Sequence, residues 1–249
     1  MIEDFKDRKR KGLRFVSRRS SKKISGKWNK LEDISNSDRV NGILKNEQSG
    51  QIFGVPIQTA IDMDPSMDGI PLPAFFRHAV NYVESHGIMQ EGIYRLSCPK
   101  SRIDEIERNV NEGKPLCFSE GHEAAELIKR FLRQLPQPLL SGDFEMLVEN
   151  CSCKWRNVCQ CVVFPEMKKM LRRVSRPQFY LLGYMIMHIQ NVINMESINK
   201  MGIHALELLF QTIMNMSRHL ICYLIVNGGG TLSKERKGDS LFGDLRIMP

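Results

Sequence analysis

The stretch HEAAELIKRFLRQLPQP, residues 122–138, decides the fold. Ala124, Leu127, Ile128, Phe131, Leu132 and Leu135 fall at i, i+3, i+4, i+7, i+8 and i+11, the broad stripe of a helix that buries one face. Pro136 and Pro138 lack the amide hydrogens that another turn needs, so the helix ends before them. Lys129 and Arg133 lie off the stripe. Four residues apart, their charges stack on one face and repel unless something acidic faces them. Read from this helix alone, both belong to a solvated face.

Working outward, PLPAFFRHAVNYVESHG repeats the period in Phe76, Ala79, Val80 and Val83, with Pro73 placed for a first turn and Gly87 for a stop. A further helix is expected to begin near Ser101, whose hydroxyl suits an N-cap, to bury Ile103, Ile106 and Val110, and to end by Gly113. Residues 165–176, 177–194 and 199–226 keep a helical period, and alternating β-branched segments are scarce. The fold predicted is all-α. Between the first two helices, EGIYRLSCPKS, residues 91–101, holds Arg95 between the apolar pair Ile93-Tyr94 and a small-residue turn.

The 249 residues are 42% hydrophobic and 26% charged, as in ordinary globular chains long enough for one sizeable core. The net charge of +8 is unevenly spread. Residues 1–30 hold 12 Lys and Arg against 3 Asp and Glu, leaving 24 against 25 for the rest. Residues 1–49 read as a basic, disordered tail, with residues 1–30 attracted to an anionic membrane surface or another acidic partner. No run reaches the length of a membrane span, and the N-terminus has no apolar stretch after its charges, so the expectation is a cytoplasmic protein, peripheral at a membrane if the tail engages one.

Seven cysteines, an odd number, are expected to be reduced thiols. Cys151, Cys153, Cys159 and Cys161 form C-x-C-x5-C-x-C, a tight spacing for a structural metal, and the expectation is buried thiols with no metal. His122 and His188 lack the neighbours of nucleophilic catalysis and read as structural. Trp28 and Trp155 offer no stacking platform for nucleic acid. NGGG at residues 227–230 is not followed by the Lys-Ser/Thr of a phosphate loop, so no GTP binding by the chain itself is expected.

EGIYRLSCPKSRIDEI resembles the EGI(F/Y)R-x-S-G-x-x-S-x-(I/V) segment of Rho GTPase-activating (RhoGAP) domains. HEAAELIKRFLRQLPQPLL resembles their helix with K-x-F-L-R-x-L-P-x-P-L, and HIQNVINMESINKMGIHALELLF their later segment with N-K-M. FGVPI at residues 53–57 is similar to the start of the Ral-binding branch. The coiled-coil segment of that branch has no counterpart, so the resemblance carries no expectation of Ral binding.

The resemblance implies a RhoGAP-like multi-helix bundle over residues 50–227, followed by a polar tail at 228–249. It implies that the chain activates a Rho-family small GTPase, the finger of the family falling on Arg95. An arginine fork neutralises charge that spreads over the γ-phosphate oxygens during phosphoryl transfer. Lys129 and Arg133 match residues that support the finger loop and contact the GTPase. No cofactor of the chain's own is implied; GTP and Mg²⁺ are the partner's. Where the family has Ser-Gly after the finger, this chain has Ser97-Cys98, removing a residue tolerant of positive φ. In ALELLFQTIM, residues 205–214, Ala205 and Ile213 replace family asparagines and Thr212 a proline, Ile213 standing where the family contacts the switch region. A catalytically weak or inactive GTPase-binding adaptor and a membrane-attached scaffold are the alternatives.

Overall fold

The computed structural model describes residues 50–153, 157–229, 240–243 and 245, all within the unit Asn46–Pro249. The basic tail, with its expected membrane attraction, and Trp155 lie outside the described residues. Among those residues the regular structure is helical: α1 Ile57–Met63, α2 Ala74–Tyr82, α3 Lys100–Asn111, α4 Gly121–Gln134 and α5 Gly142–Glu149 come first. They are followed by α6 Val163–Leu171, α7 Arg176–Asn194, α8 Glu196–Asn199, α9 Ile203–Met214 and α10 Arg218–Asn227.

Helix α4 is the centre of the bundle, burying Ala124, Leu127, Ile128, Phe131 and Leu132 and packing on α2, α3 and α9. Phe131 meets Phe53, Phe75 and Phe76 with ring centroids 5.8, 5.1 and 5.4 Å away, mostly edge to face or tilted, the arrangements aromatic quadrupoles favour. Helix α2 does not run straight to Gly87; it widens into a π turn over Val83–Gly87. Gly87 then lies so close to the first residue of α4 that an added Cβ would sit 2.8 Å from the Gly121 Cα. Two facing glycines thus let the π turn and α4 meet backbone to backbone, which fixes where the chain enters the loop carrying Arg95.

Three boundaries differ from expectation. Helix α3 starts after Pro99, with Ser101 already inside its first turn and no side chain capping it; proline's fixed φ suffices to start the helix. The run 199–226 breaks at Asn215, which takes a left-handed φ of 51°, before Ser217 caps α10 by accepting from the Leu220 amide. Within the segment read as a polar tail, the described residues Leu241 and Phe242 join the core: Phe242 is only 2% exposed, and the amides of Leu241 and Phe242 donate to the carbonyls of Asn227 and Gly228. Two apolar residues outweigh the polar surroundings, since burying each large side chain contributes about 1.5–3 kcal/mol.

Candidate functional site

Arg95 is exposed on the loop between the π turn and α3, and the residues beneath it are fixed. Gly92 and Tyr94 both take left-handed backbone, with φ of 70° and 69°. Glycine does so freely; a tyrosine does so only where its surroundings compensate the strain. Here they do. The Tyr94 ring is fully buried, and its hydroxyl lies 2.6 Å from His188 Nε2.

The other ring nitrogen, His188 Nδ1, is 2.8 Å from Glu84 Oε1, and Asn191 donates to the same oxygen at 2.9 Å. Partial burial alone would raise the Glu84 carboxyl, yet the bonds from His188 and Asn191 hold it below its ordinary range. A carboxylate accepts only, so Nδ1 donates to Glu84, and in the neutral imidazole Nε2 then accepts from the Tyr94 hydroxyl. Burial first, then Glu84, pushes the Tyr94 hydroxyl well above its usual value, keeping it a donor.

Lys129 is not on a solvated face. Its side chain is 2% exposed and its ammonium pairs with Glu126 Oε2 at 2.6 Å, while Nζ donates to the Tyr94 carbonyl at 2.8 Å. Arg133, 47% exposed, reaches Glu126 Oε1 at 3.3 Å. Glu126 is therefore the acid that lets the two cations share one face. Burial works to raise its pKa, but Lys129, then Ser97 and Arg133, hold it low. The Glu126-x-x-Lys129-x-x-x-Arg133 spacing is the signal that could have identified it.

Asn199 completes the support. Fully buried, it accepts the Gly92 amide on its carbonyl at 2.8 Å and donates through Nδ2 to Ile88 and Val192, each at 2.9 Å. Bonds from α4, α7 and α8 thus converge on Gly92 and Tyr94, beside Arg95. Glu84, His188 and Asn199 were not singled out as loop supports from the sequence, because each meets the loop only through tertiary packing.

The sequence departures resolve differently. Cys98 is not among the residues with positive φ; the loop places that conformation at Gly92 and Tyr94, so the missing glycine costs nothing there. Ile213 is 3% exposed, inside the core rather than on a contact surface, while Thr212 is exposed. The position read as a lost partner contact is a packing position. Of the four free cysteines at 151, 153, 159 and 161, Cys159 is buried and the others half-buried, and their sulfurs all lie within 4.8 Å of one another.

A model of the RhoGAP domain matches residues 73–219. RalA-binding protein 1-A of Xenopus laevis is 29% identical over 172 residues, 68% of this chain and 26% of that protein. A probable Rho-type GTPase-activating protein 2 of Schizosaccharomyces pombe is 30% identical over 189 residues, 71% of this chain and 14% of its own length. The chain therefore spans about a quarter or less of these two relatives. The crystal structure of human Rho GTPase activating protein 15 superposes with a TM-score of 0.60 over 77% of this chain and 93% of that one, at 21% identity, a likeness of fold.

Proposed function

The chain belongs to the RhoGAP domain family, and on that premise we propose that it accelerates GTP hydrolysis by a Rho-type small GTPase, supplying Arg95 to the partner's nucleotide site. What carries the reading is the contrast within one loop: an exposed guanidinium on a backbone clamped by Tyr94, Lys129 and Asn199. Such a group can neutralise developing charge from a backbone that is already fixed. GTP and Mg²⁺ belong to the partner; the chain brings no cofactor of its own. In this reading Arg133 meets the GTPase surface, a role that its half-exposure beside the loop-supporting Lys129 supports.

The test is single-turnover hydrolysis by a panel of GTP-loaded Rho-type GTPases, with and without the chain. The expected stimulation falls by about 10³-fold or more in Arg95→Ala, and Arg95→Lys does not restore it, because a point charge lacks the guanidinium fork. Stimulation unchanged in Arg95→Ala would sink the finger assignment. Binding to GTP-loaded partners with no acceleration would make the chain an adaptor instead.

A further inference from the structure

The loop joining α5 to α6 brings together four thiols that the GTPase reading does not use. Cys151 Sγ lies 3.6 Å from Cys159 Sγ and 3.7 Å from Cys161 Sγ. Cys159 lies 3.4 Å from Cys161 and 3.8 Å from Cys153. All four sulfurs fall within 4.8 Å of one another. A Zn²⁺ ion binds thiolates at about 2.3 Å, and the corners of a tetrahedron of that radius stand about 3.8 Å apart. We propose that Cys151, Cys153, Cys159 and Cys161 are the four ligands of a structural Zn²⁺ ion that ties the α5–α6 connection to α10.

The surroundings suit that role. Both ends of the connection are set by backbone bonds, Cys151 N to the Val148 carbonyl and Phe164 N to the Cys161 carbonyl. The Cys159 amide donates to Asn227 Oδ1 on α10 at 2.7 Å. The Gln160 amide points at the Cys153 sulfur at 3.3 Å, the donor a metal-bound thiolate accepts from. The buried Tyr223 hydroxyl, on the same α10, has no partner of good geometry and stands beside Cys159. Four thiolates around one divalent ion leave two negative charges. Lys168, Lys169 and Arg172 line one open cavity with Cys161, where that excess sits beside cations.

A single ion fits better than the other uses of clustered thiols. Disulfides bring sulfurs to about 2.05 Å, and one cysteine contacting three others at similar distance marks no pair. Four soft thiol ligands converging within 4.8 Å, without histidine or carboxylate, suit a redox-inert zinc ion. On binding, each thiol releases its proton to solvent and no electrons move.

The test uses the full chain, expressed in zinc-supplemented medium and purified without chelator. Metal analysis is expected to give one Zn²⁺ per chain, and replacement by Co²⁺ to give the intense visible bands of a tetrahedral thiolate site. Cys159→Ser is expected to lose the metal and to lower the thermal midpoint, whereas Cys117→Ser, at an exposed thiol outside the cluster, keeps one ion per chain. Should Cys159→Ser fail to fold, the half-buried Cys153→Ser and the Co²⁺ spectrum of the unmutated chain give the answer. Two results overturn the proposal: a zinc-free chain that takes up neither Zn²⁺ nor Co²⁺ on titration, or intact mass showing hydrogens lost to disulfides among these four.

Discussion

Lys129 Nζ donates to the Tyr94 carbonyl at 2.8 Å, so a lysine from the central helix holds the residue just before Arg95. Lys129 serves two partners at once, since its charge also answers the Glu126 carboxylate. Lys129→Met keeps the length of the stem and removes both interactions, leaving a buried carboxylate answered by Ser97 and by Arg133 at 3.3 Å. The expected loss of stability is about 3–5 kcal/mol, the range for breaking a buried pair from one side. Arg133→Ala, at a half-exposed partner, is expected to cost under about 1 kcal/mol. Chemical denaturation of the two variants checks the order, and equal losses would show that Lys129 carries no special role.

The strained Tyr94 gives a second measurement. Tyr94→Phe keeps the ring in its pocket and deletes only the hydroxyl, stranding His188 Nε2 away from water. An unpaired buried acceptor costs about 1–3 kcal/mol, and that is the expected fall in unfolding free energy. Because the hydroxyl helps hold a left-handed backbone, stimulated GTP hydrolysis is expected to fall as well, in kcat more than in binding. A variant as stable as the parent would mean that the ring alone holds the loop.

The chain from Tyr94 through His188 to Glu84 makes a prediction about acid. Glu84 titrates below its ordinary value of 4.5 in the folded state, the bonds from His188 and Asn191 prevailing over burial. With a depressed folded pKa, its stabilising contribution is complete above 4.5 and is lost as pH falls through the folded value. Glu84→Gln removes that dependence. Between pH about 5 and about 3 its stability is expected to decline less steeply than the parent's, whatever its absolute value at neutral pH. Parallel acid limbs would show that Glu84 is not differentially ionised on folding.

The fold was legible where period alone decides it. Residues 124–135 announce α4 because one helix face is apolar, and Pro136 announces its end. The site was legible in part. Arg95, Lys129 and Arg133 came from resemblance, but the burial of Lys129 was not readable, because its partner Tyr94 is 35 residues away and an isolated helix shows the lysine as off-stripe. The same holds for Cys151, Cys153, Cys159 and Cys161: spacing names four ligands, but only the path of the loop shows that their sulfurs converge. Asn215 broke an apolar run that periodicity carried through, since a left-handed residue leaves no trace in hydrophobic pattern.

Ile213 is where sequence and structure part most sharply, and it is testable in isolation. In a surface reading, Ile213→Asn would restore a hydrogen-bonding side chain toward the GTPase and raise affinity. The structure makes Ile213 a core residue at 3% exposure, on a helix that packs against α4 and α10. There the substitution forfeits the burial of a branched apolar side chain, about 1.5–3 kcal/mol, and desolvates an amide at about 1–3 kcal/mol more unless it finds a partner. The expected outcome is an unfolding free energy lower by about 2–5 kcal/mol, with affinity for a GTP-loaded Rho-type GTPase no better than the parent's. Measuring both on the same preparation separates the readings. Tighter binding at unchanged stability would return Ile213 to the contact surface, because a side chain that improves an interface at no cost to the core cannot be filling it.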